Sequence, residues 1–273
     1  MSTYFDVLEP LGAPTPLVVE IPHSSVRVGP RALATLNAPA RSIGVDADLY
    51  VDQLYRQAPA FGASVLIARV SRYVCDLNRS EQDVDGSTVE GAPARLFPHG
   101  LIWRETTESQ PVLTRRLSRG EFERRLETIY RPYHQALQGL LKQKYEQFGY
   151  AVLLAAHSMP SFGRSGHADP GAARADVVPG TQGRSTAARS VIAAVEEEAK
   201  RAGLSLTHDD PYRGGFTTVH YGKPALGFHA IQVELARRLY MDESTLTKLP
   251  GSFEKTANFC DRLVQALGQL RKP

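Results

Sequence analysis

The sequence contains few cysteines, few lysines and no long block of charges of one sign. Cys75 and Cys260 are the only two cysteines in 273 residues, which excludes a disulfide scaffold and is typical of a reducing compartment. A net charge of +3 with no like-charge block argues against nucleic acid as a partner.

The longest apolar runs, such as residues 151–156, are too short to span a membrane, and residues 1–16 lack the pattern of a signal peptide. We therefore expect a cytoplasmic protein without a membrane partner, monomeric or a small homo-oligomer.

The length and composition allow one large α/β domain or two small ones, since 42% of the residues are hydrophobic. Only seven of the 32 cationic residues are lysine. Genomic base composition produces such a bias, but arginine is also the better residue for gripping carboxylates with paired hydrogen bonds.

Segments typical of strands alternate with segments typical of helices along the chain. The pattern predicts strands at 17–21, 63–70, 151–156, 204–207 and 227–233, and helices at 46–57, from 119 onward, at 185–201 and at 253–270. Ser118 and Glu121 form a capping-box pattern, and Pro132 should kink or divide the helix that follows. This alternation predicts a single α/β domain over residues 1–273, with a mainly parallel central sheet and helices on both faces.

Two histidines follow apolar strands of this predicted sheet. In open parallel sheets, ligands collect at the carboxyl ends of the strands, where His23 and His157 should lie. Two imidazoles, one carboxylate and an open position make a catalytic zinc centre, and the carboxylate could come from Asp46 or Asp48, of which Asp48 is preferred. The alternative is that each histidine only caps a strand end through a hydrogen bond.

Glu234 lies in or at the end of another apolar strand. A carboxylate is costly to bury without a partner, so Glu234 is a candidate general base beside a metal-bound water. The alternative is a salt bridge from Glu234 to Arg237 or Arg238.

Arg72, Asn78 and Arg79 follow the predicted strand 63–70, and these residue types suit an anionic substrate. One arginine could stabilise the oxyanion that forms at an attacked carbonyl, while the other grips a substrate carboxylate. The alternative is that each of these arginines is an ordinary surface charge without a role in binding.

Together, several sequence blocks resemble the N-formylglutamate amidohydrolase family, in the family's order and from about residue 17 to 243. The blocks are residues 22–25 (PHSS), 46–54 (DADLYVDQL), 71–79 (SRYVCDLNR), 130–134 (YRPYH), 156–160 (AHSMP), 211–215 (PYRGG), 232–236 (QVELA) and 239–243 (LYMDE). The combination is specific, although no single block is.

The resemblance implies a zinc carboxypeptidase/phosphorylase-hydrolase-like fold and a hydrolase that releases formate from N-formylglutamate, as in histidine degradation. It implies His23 and His157 as ligands of Zn²⁺, with Co²⁺ or Mn²⁺ as possible replacements, and Glu234 as the general base. Carboxypeptidases take their acidic ligand three residues after the first histidine, where this chain has Val26, so an aspartate of the next segment has to serve.

The same resemblance gives roles to the candidate substrate residues. It implies that Asn78 and Arg79 bind the substrate carboxylate and that Arg72 stabilises the oxyanion. Tyr212 and Arg213, as expected substrate-binding residues, and His134 match family positions without an assigned role.

Three interpretations stay open at this level. The same site could act on another N-acyl amino acid or on a cell-wall peptide, or the chain could be a metal-free carboxylate-binding protein that has lost the chemistry. The Gly- and Pro-rich stretch 160–183 is long enough for a lid over the site, although a plain loop fits equally well.

Overall fold

A computed structural model of the chain describes residues 4–94 and 98–273. Its main sheet has six strands in the order β1-β3-β2-β4-β6-β5. These are β1 (Phe5–Leu8), β2 (Leu17–Ile21), β3 (Ser64–Ala68), β4 (Ala151–Met159), β5 (Val177–Gly180) and β6 (Phe228–Ala236). The four middle strands are parallel, and each edge strand pairs antiparallel with its neighbour. A separate pair, β7 (Met241–Asp242) and β8 (Thr247–Lys248), follows.

Helices cover both faces of the sheet. They are α1 (Pro30–Leu33), α2 (Ala40–Asp46), α3 (Val51–Leu54), α4 (Arg119–Arg125), α5 (Arg131–Phe148), α6 (Arg189–Arg201), α7 (Phe216–Tyr221) and α8 (Pro250–Gly268). Short 3₁₀ turns lie at Ala58–Phe61, Pro224–Leu226 and Arg237–Leu239, and a π-helical turn lies at Leu126–Tyr130. In the described residues, no helix combines the length and apolar character that a membrane crossing needs.

The alternation of side chains in β2 shows why both faces need cover. Leu17, Val19 and Ile21 pack into the cluster that contains α6 and α8, whereas Val18 packs into the cluster that contains α5. All nine residues of β4 are buried, as expected of a central parallel strand between two helical layers. The predicted α/β class with a mainly parallel sheet is therefore confirmed.

Local signals near α4 and α5 also agree with the structure. The Ser118 hydroxyl accepts a hydrogen bond of 3.2 Å from the Glu121 backbone N–H, which confirms the predicted cap. The helix is divided by the π-helical turn, and Pro132 lies in the first turn of α5, where its missing N–H costs little.

Two predicted elements are wrong. Residues 46–57 do not form one helix, because Tyr50 adopts a left-handed φ of 68° and separates α2 from α3. Residues 204–207 are not a strand of the sheet, and Leu206 forms only an isolated bridge to Val177. The edge position belongs to β5, inside the Gly- and Pro-rich stretch 160–183 that was expected to be a lid or a plain loop.

Candidate active site

The carboxyl ends of three neighbouring strands bring the predicted site residues together. His23 follows β2, His157 lies near the end of β4, and Glu234 lies opposite His157 in the register between β4 and β6. All three side chains are buried. The parallel order β2-β4-β6 therefore places residues from distant parts of the chain at one edge of the sheet.

His23, Asp48 and His157 form a buried cluster whose candidate ligand atoms lie within 4.8 Å of one another. The Asp48 Oδ2 atom is 2.9 Å from His157 Nδ1 and 3.7 Å from His23 Nδ1. Burial alone would raise the pKa of Asp48, but the hydrogen bond with His157 and the nearby imidazole of His23 hold this pKa well below its ordinary value. The cluster thus combines two imidazoles with a carboxylate, a donor set that suits a divalent transition metal.

The other ring nitrogen of His23 explains how this residue is prepared for a metal. His23 Nε2 lies 2.7 Å from Asp76 Oδ1, so the Nε2–H donates to the carboxylate and Nδ1 keeps its lone pair. That Nδ1 atom is buried and has no hydrogen-bond partner among the described residues. A buried lone pair without a partner is costly, and a cation in the cluster would satisfy it.

Asp76 is held in place from several sides. It accepts hydrogen bonds from the Arg72 guanidinium at 3.0 Å, from Trp103 Nε1 at 2.8 Å and from the Asn78 backbone N–H at 3.0 Å. Burial would raise the pKa of Asp76, whereas His23 and Arg72 lower it well below its ordinary value. Asp76 therefore stays ionised and fixes the orientation of the His23 ring.

The two candidate aspartates point to different places. Asp46 accepts hydrogen bonds from Tyr73 at 2.5 Å, from the Thr107 backbone at 3.0 Å and from Arg164 at 2.9 Å. Asp48 lies between the two histidines and forms an ion pair of 3.3 Å with Arg237. The geometry therefore places Asp48, and not Asp46, in the cluster.

Glu234 is buried beside the cluster without an arginine partner among the described residues. Its Oε1 accepts a hydrogen bond of 2.8 Å from Gln232 Nε2. Burial raises the pKa of Glu234 to about 7, although the charge of His157 opposes this shift. The alternative of a salt bridge does not apply here, because Arg237 pairs with Asp48 and Arg238 pairs with Asp176 at 2.8 Å.

The predicted anion-binding residues differ in how much of each side chain is already engaged. Arg72 pairs with Asp76, stacks over Trp103 at 4.5 Å and still faces the cavity. Asn78 has internal partners at both ends of its amide, because Nδ2 donates to Gln232 at 3.2 Å and Oδ1 accepts from the Thr217 backbone at 3.0 Å.

Within residues 4–94 and 98–273, the Arg79 side chain donates only to backbone carbonyls, those of His99 at 2.7 Å and Asn78 at 3.3 Å. Its guanidinium has no carboxylate partner among the described residues. Of the three predicted anion-binding residues, Arg79 is therefore the one best prepared to bind an external carboxylate.

A cavity of about 320 Å³ is lined by all nine predicted site residues, including Tyr212 and Arg213. The Tyr212 hydroxyl accepts a hydrogen bond of 3.0 Å from Arg174. His134 lies elsewhere, in a second cavity of about 270 Å³, with its Nδ1 3.0 Å from the Tyr221 hydroxyl. The sequence match alone therefore did not show that His134, unlike Tyr212 and Arg213, lies outside the active-site cavity.

Several lining residues were not predicted. They are Asp46 as a cavity residue, His99, Trp103, Thr107, Ser158, Pro160, Arg164, His167, Pro211, Gly214, Gly215, Gln232 and Arg237. Gln232 could have been found, because it lies two residues before Glu234 in the same strand and therefore on the same face. Trp103 and Arg164 come from loops whose positions no local pattern specifies.

Comparison with known proteins identifies the family. The model of the N-formylglutamate amidohydrolase family matches residues 15–241 of the chain. The chain belongs to this family. It is 36% identical to the N-formylglutamate deformylase of Pseudomonas putida over 232 residues, which are 84% of this chain and 83% of that protein. It is 34% identical, with the same coverage, to the N-formylglutamate deformylase of Pseudomonas aeruginosa.

A solved structure agrees with this assignment. The N-formylglutamate amidohydrolase from Ralstonia eutropha JMP134 superposes with a TM-score of 0.89 at 29% sequence identity, and the match covers 97% of both chains. The predicted family resemblance is therefore confirmed. The roles of the individual site residues remain predictions.

Proposed function

We propose that this chain is a metal-dependent amidohydrolase that cleaves the formyl amide of N-formylglutamate to give formate and glutamate. The observation that carries the proposal is the buried His23–Asp48–His157 cluster, with Glu234 beside it, in a chain whose relatives carry the name N-formylglutamate deformylase. The placement of this reaction in histidine degradation belongs to the same proposal.

His23 Nδ1, Asp48 and His157 would hold the metal, with zinc as the expected ion and cobalt or manganese as replacements. The partnerless His23 nitrogen supports this assignment. When bound, such a cation acts as a Lewis acid, lowering the pKa of water and polarising the amide carbonyl. Arg237, which pairs with Asp48 and donates to the Val45 carbonyl at 2.5 Å, would keep the carboxylate in place.

Glu234 would act as the general base and then as the general acid. Gln232 occupies one carboxylate oxygen, so the other can accept a proton from the attacking water. The oxygen of this water forms the new bond to the formyl carbon. Glu234 returns the proton to the nitrogen as the carbon–nitrogen bond breaks, which gives the amine of glutamate and formate.

The arginines would handle the negative charge of substrate and transition state. Arg72 is fixed by Asp76 and Trp103, so its remaining N–H groups would stabilise the oxyanion without reorganising. Arg79, whose guanidinium has no carboxylate partner among the described residues, would bind the α-carboxylate. Asn78 would assist from its place between Gln232 and Thr217.

The test is formate release from N-formylglutamate, with N-acetyl- and N-succinylglutamate assayed in parallel. We expect Glu234→Gln to retain the metal and to reduce turnover by about 10²–10⁴-fold. Glu197→Gln, which removes an exposed carboxylate from α6, is the matched control and should behave like wild type. Normal turnover by the Glu234 variant would remove this residue from the mechanism, and faster release of acetate or succinate would reassign the substrate. A chain that binds N-formylglutamate and hydrolyses none of the three would be a silent carboxylate-binding protein.

A further inference from the structure

The arginines that line the active-site cavity are not all paired with a carboxylate of the described residues. Five arginines face this cavity, and three of them form ion pairs with aspartates. Arg72 pairs with Asp76 at 3.0 Å, Arg164 with Asp46 at 2.9 Å, and Arg237 with Asp48 at 3.3 Å. The other two arginines are Arg79 and Arg213.

Neither Arg79 nor Arg213 has a carboxylate partner in the ranges 4–94 and 98–273. Arg79 is partly buried and its hydrogen bonds go to two backbone carbonyls. Arg213 is exposed, and no hydrogen bond or ion pair of its side chain is found within those ranges. Glu234 is the remaining carboxylate of this cavity and forms no ion pair with either arginine among the described residues. Two guanidinium groups without an ion-pair partner suit a ligand that carries two carboxylates.

Backbone contacts before and after Arg213 hold its loop in place, although its side chain makes no hydrogen bond or ion pair with the described residues. The Arg213 carbonyl accepts a hydrogen bond of 2.9 Å from the Gln182 backbone N–H. Gly214 adopts a left-handed φ of 98° and lies against Gly180, where a Cβ on Gly180 would approach Gly214 N to 2.4 Å. The next residue, Gly215, donates to Gln232 at 2.8 Å. The backbone of Arg213 therefore has a defined position relative to Gln232, whose side chain donates a hydrogen bond to Glu234.

We propose that Arg213 is a specificity-determining residue that binds the side-chain carboxylate of the substrate, while Arg79 binds the α-carboxylate. This inference rests on the proposed hydrolysis of N-formylglutamate and adds to it the residue that would select a dicarboxylic substrate. Because the two arginines engage different carboxylates, the loss of Arg213 should affect only substrates that carry the second one.

The experiment compares N-formylglutamate with N-formylglutamine, in which a neutral amide of nearly the same shape replaces the side-chain carboxylate. In Arg213→Met, kcat/KM for N-formylglutamate should fall by about 10–100-fold, whereas the value for N-formylglutamine should change by less than about 3-fold. Arg213→Lys should retain part of the preference, because it keeps the charge but loses the planar fork. In Arg79→Met, both substrates should lose efficiency.

Arg184→Met is the matched control for a general loss of positive charge. Arg184 is also exposed and pairs with Glu196 at 2.7 Å outside the cavity. It follows Gly183, where a Cβ would lie 4.0 Å from the Arg213 guanidinium. We expect this variant to keep the wild-type ratio of the two substrates. An equal loss for both substrates in Arg213→Met, or no loss for either, would overturn the assignment.

Binding measurements separate this inference from the proposed reaction. Calorimetry with the Glu234→Gln variant, with and without Arg213→Met, gives Kd values for both ligands without turnover. If wild type released no formate but Arg213→Met still weakened N-formylglutamate binding selectively, the reaction would be wrong and the specificity assignment would stand. If formate release were normal and binding of both ligands were unaffected by Arg213→Met, only the assignment of Arg213 would fail.

Discussion

Glu20 provides a test of the fold that is independent of the metal cluster. It lies in β2 at the centre of the sheet and is fully buried. Its Oε1 accepts a hydrogen bond of 3.1 Å from the Tyr133 hydroxyl of α5, and its Oε2 has no partner among the described residues. Burial raises the pKa of Glu20 from 4.5 to about 8, although the nearby hydroxyl groups of Thr217 and Tyr133 oppose the shift. Tyr221 is another titratable neighbour.

The raised pKa of Glu20 makes the stability of the wild type depend on pH. Between about pH 4.5 and pH 8, the folded chain keeps a proton on Glu20 that the unfolded chain has released, so the free energy of unfolding falls as pH rises. One pKa unit corresponds to about 1.4 kcal/mol, so the titration of Glu20 should lower the free energy of unfolding of the wild type by about 3–4 kcal/mol between pH 5 and pH 8. Glu20→Gln has no such titration and should gain about 3–4 kcal/mol relative to wild type over the same interval.

The assay is urea unfolding of wild type and Glu20→Gln at several values between pH 5 and pH 8, followed by circular dichroism and by the fluorescence of the single tryptophan, Trp103. The quantity compared is the difference in the free energy of unfolding between Glu20→Gln and wild type, followed as a function of pH. An effect of the amide on packing that does not depend on pH adds the same amount at every pH and therefore does not change the slope. Glu197→Gln controls for the removal of one carboxylate from the surface. Parallel stability profiles of wild type and Glu20→Gln would refute the argument.

Two further predictions concern the site. Asp48→Asn should lose most of the bound metal, measured as metal per chain after dialysis, whereas Asp46→Asn should retain it; the opposite result would exchange their roles. Gln232→Leu should bind metal normally and lower kcat by about 10-fold or more, because Gln232 holds the proposed base at 2.8 Å. The double variant with Glu234→Gln should then be no slower than Glu234→Gln alone, and additive losses would show that Gln232 acts independently.

The sheet could be predicted because its central strands carry strong and simple signals. The apolar runs of β2, β4 and β6 have hydrophobic residues on both faces, a pattern that few other positions in a globular protein satisfy. Once these strands are parallel, their carboxyl ends lie together, so His23, His157 and Glu234 meet. This part of the site follows from the strand positions alone.

The edge of the sheet could not be predicted in the same way. β5 contains a proline and a glycine, which normally argue against a strand, but an edge strand needs hydrogen bonds on one side only. Residues 204–207 have the more strand-like composition and yet contribute one bridge at Leu206. Tertiary pairing with β6 decided between the two segments, and local propensity did not.

The residues that orient the site were missed for a different reason. Asp76 and Gln232 act on His23 and Glu234 through side-chain contacts, and the resemblance attached no role to either. Asp76 is 53 positions from His23 in the chain, so no spacing rule connects them. Such partners become visible only when loops from several strands are placed together.

The choice between Asp46 and Asp48 shows how a short break in a helix selects a metal ligand. A continuous helix over residues 46–57 would separate the two side chains by half a turn but would leave both at its N-terminus. In the structure, α2 ends at Asp46, and the Asp48 backbone N–H donates to the His23 carbonyl at 2.9 Å. This bond ties Asp48 to the segment that carries His23.

The same break gives Asp46 a separate use. Its carboxylate holds Arg164, which belongs to the Gly- and Pro-rich stretch considered as a lid, and Arg164 also donates to the Val45 carbonyl at 2.9 Å. Asp48 therefore belongs to the candidate metal centre, whereas Asp46, two residues earlier, holds the stretch that borders the cavity. Movement of the segment around Arg164 would have to break its ion pair with Asp46, two residues from the candidate metal ligand Asp48.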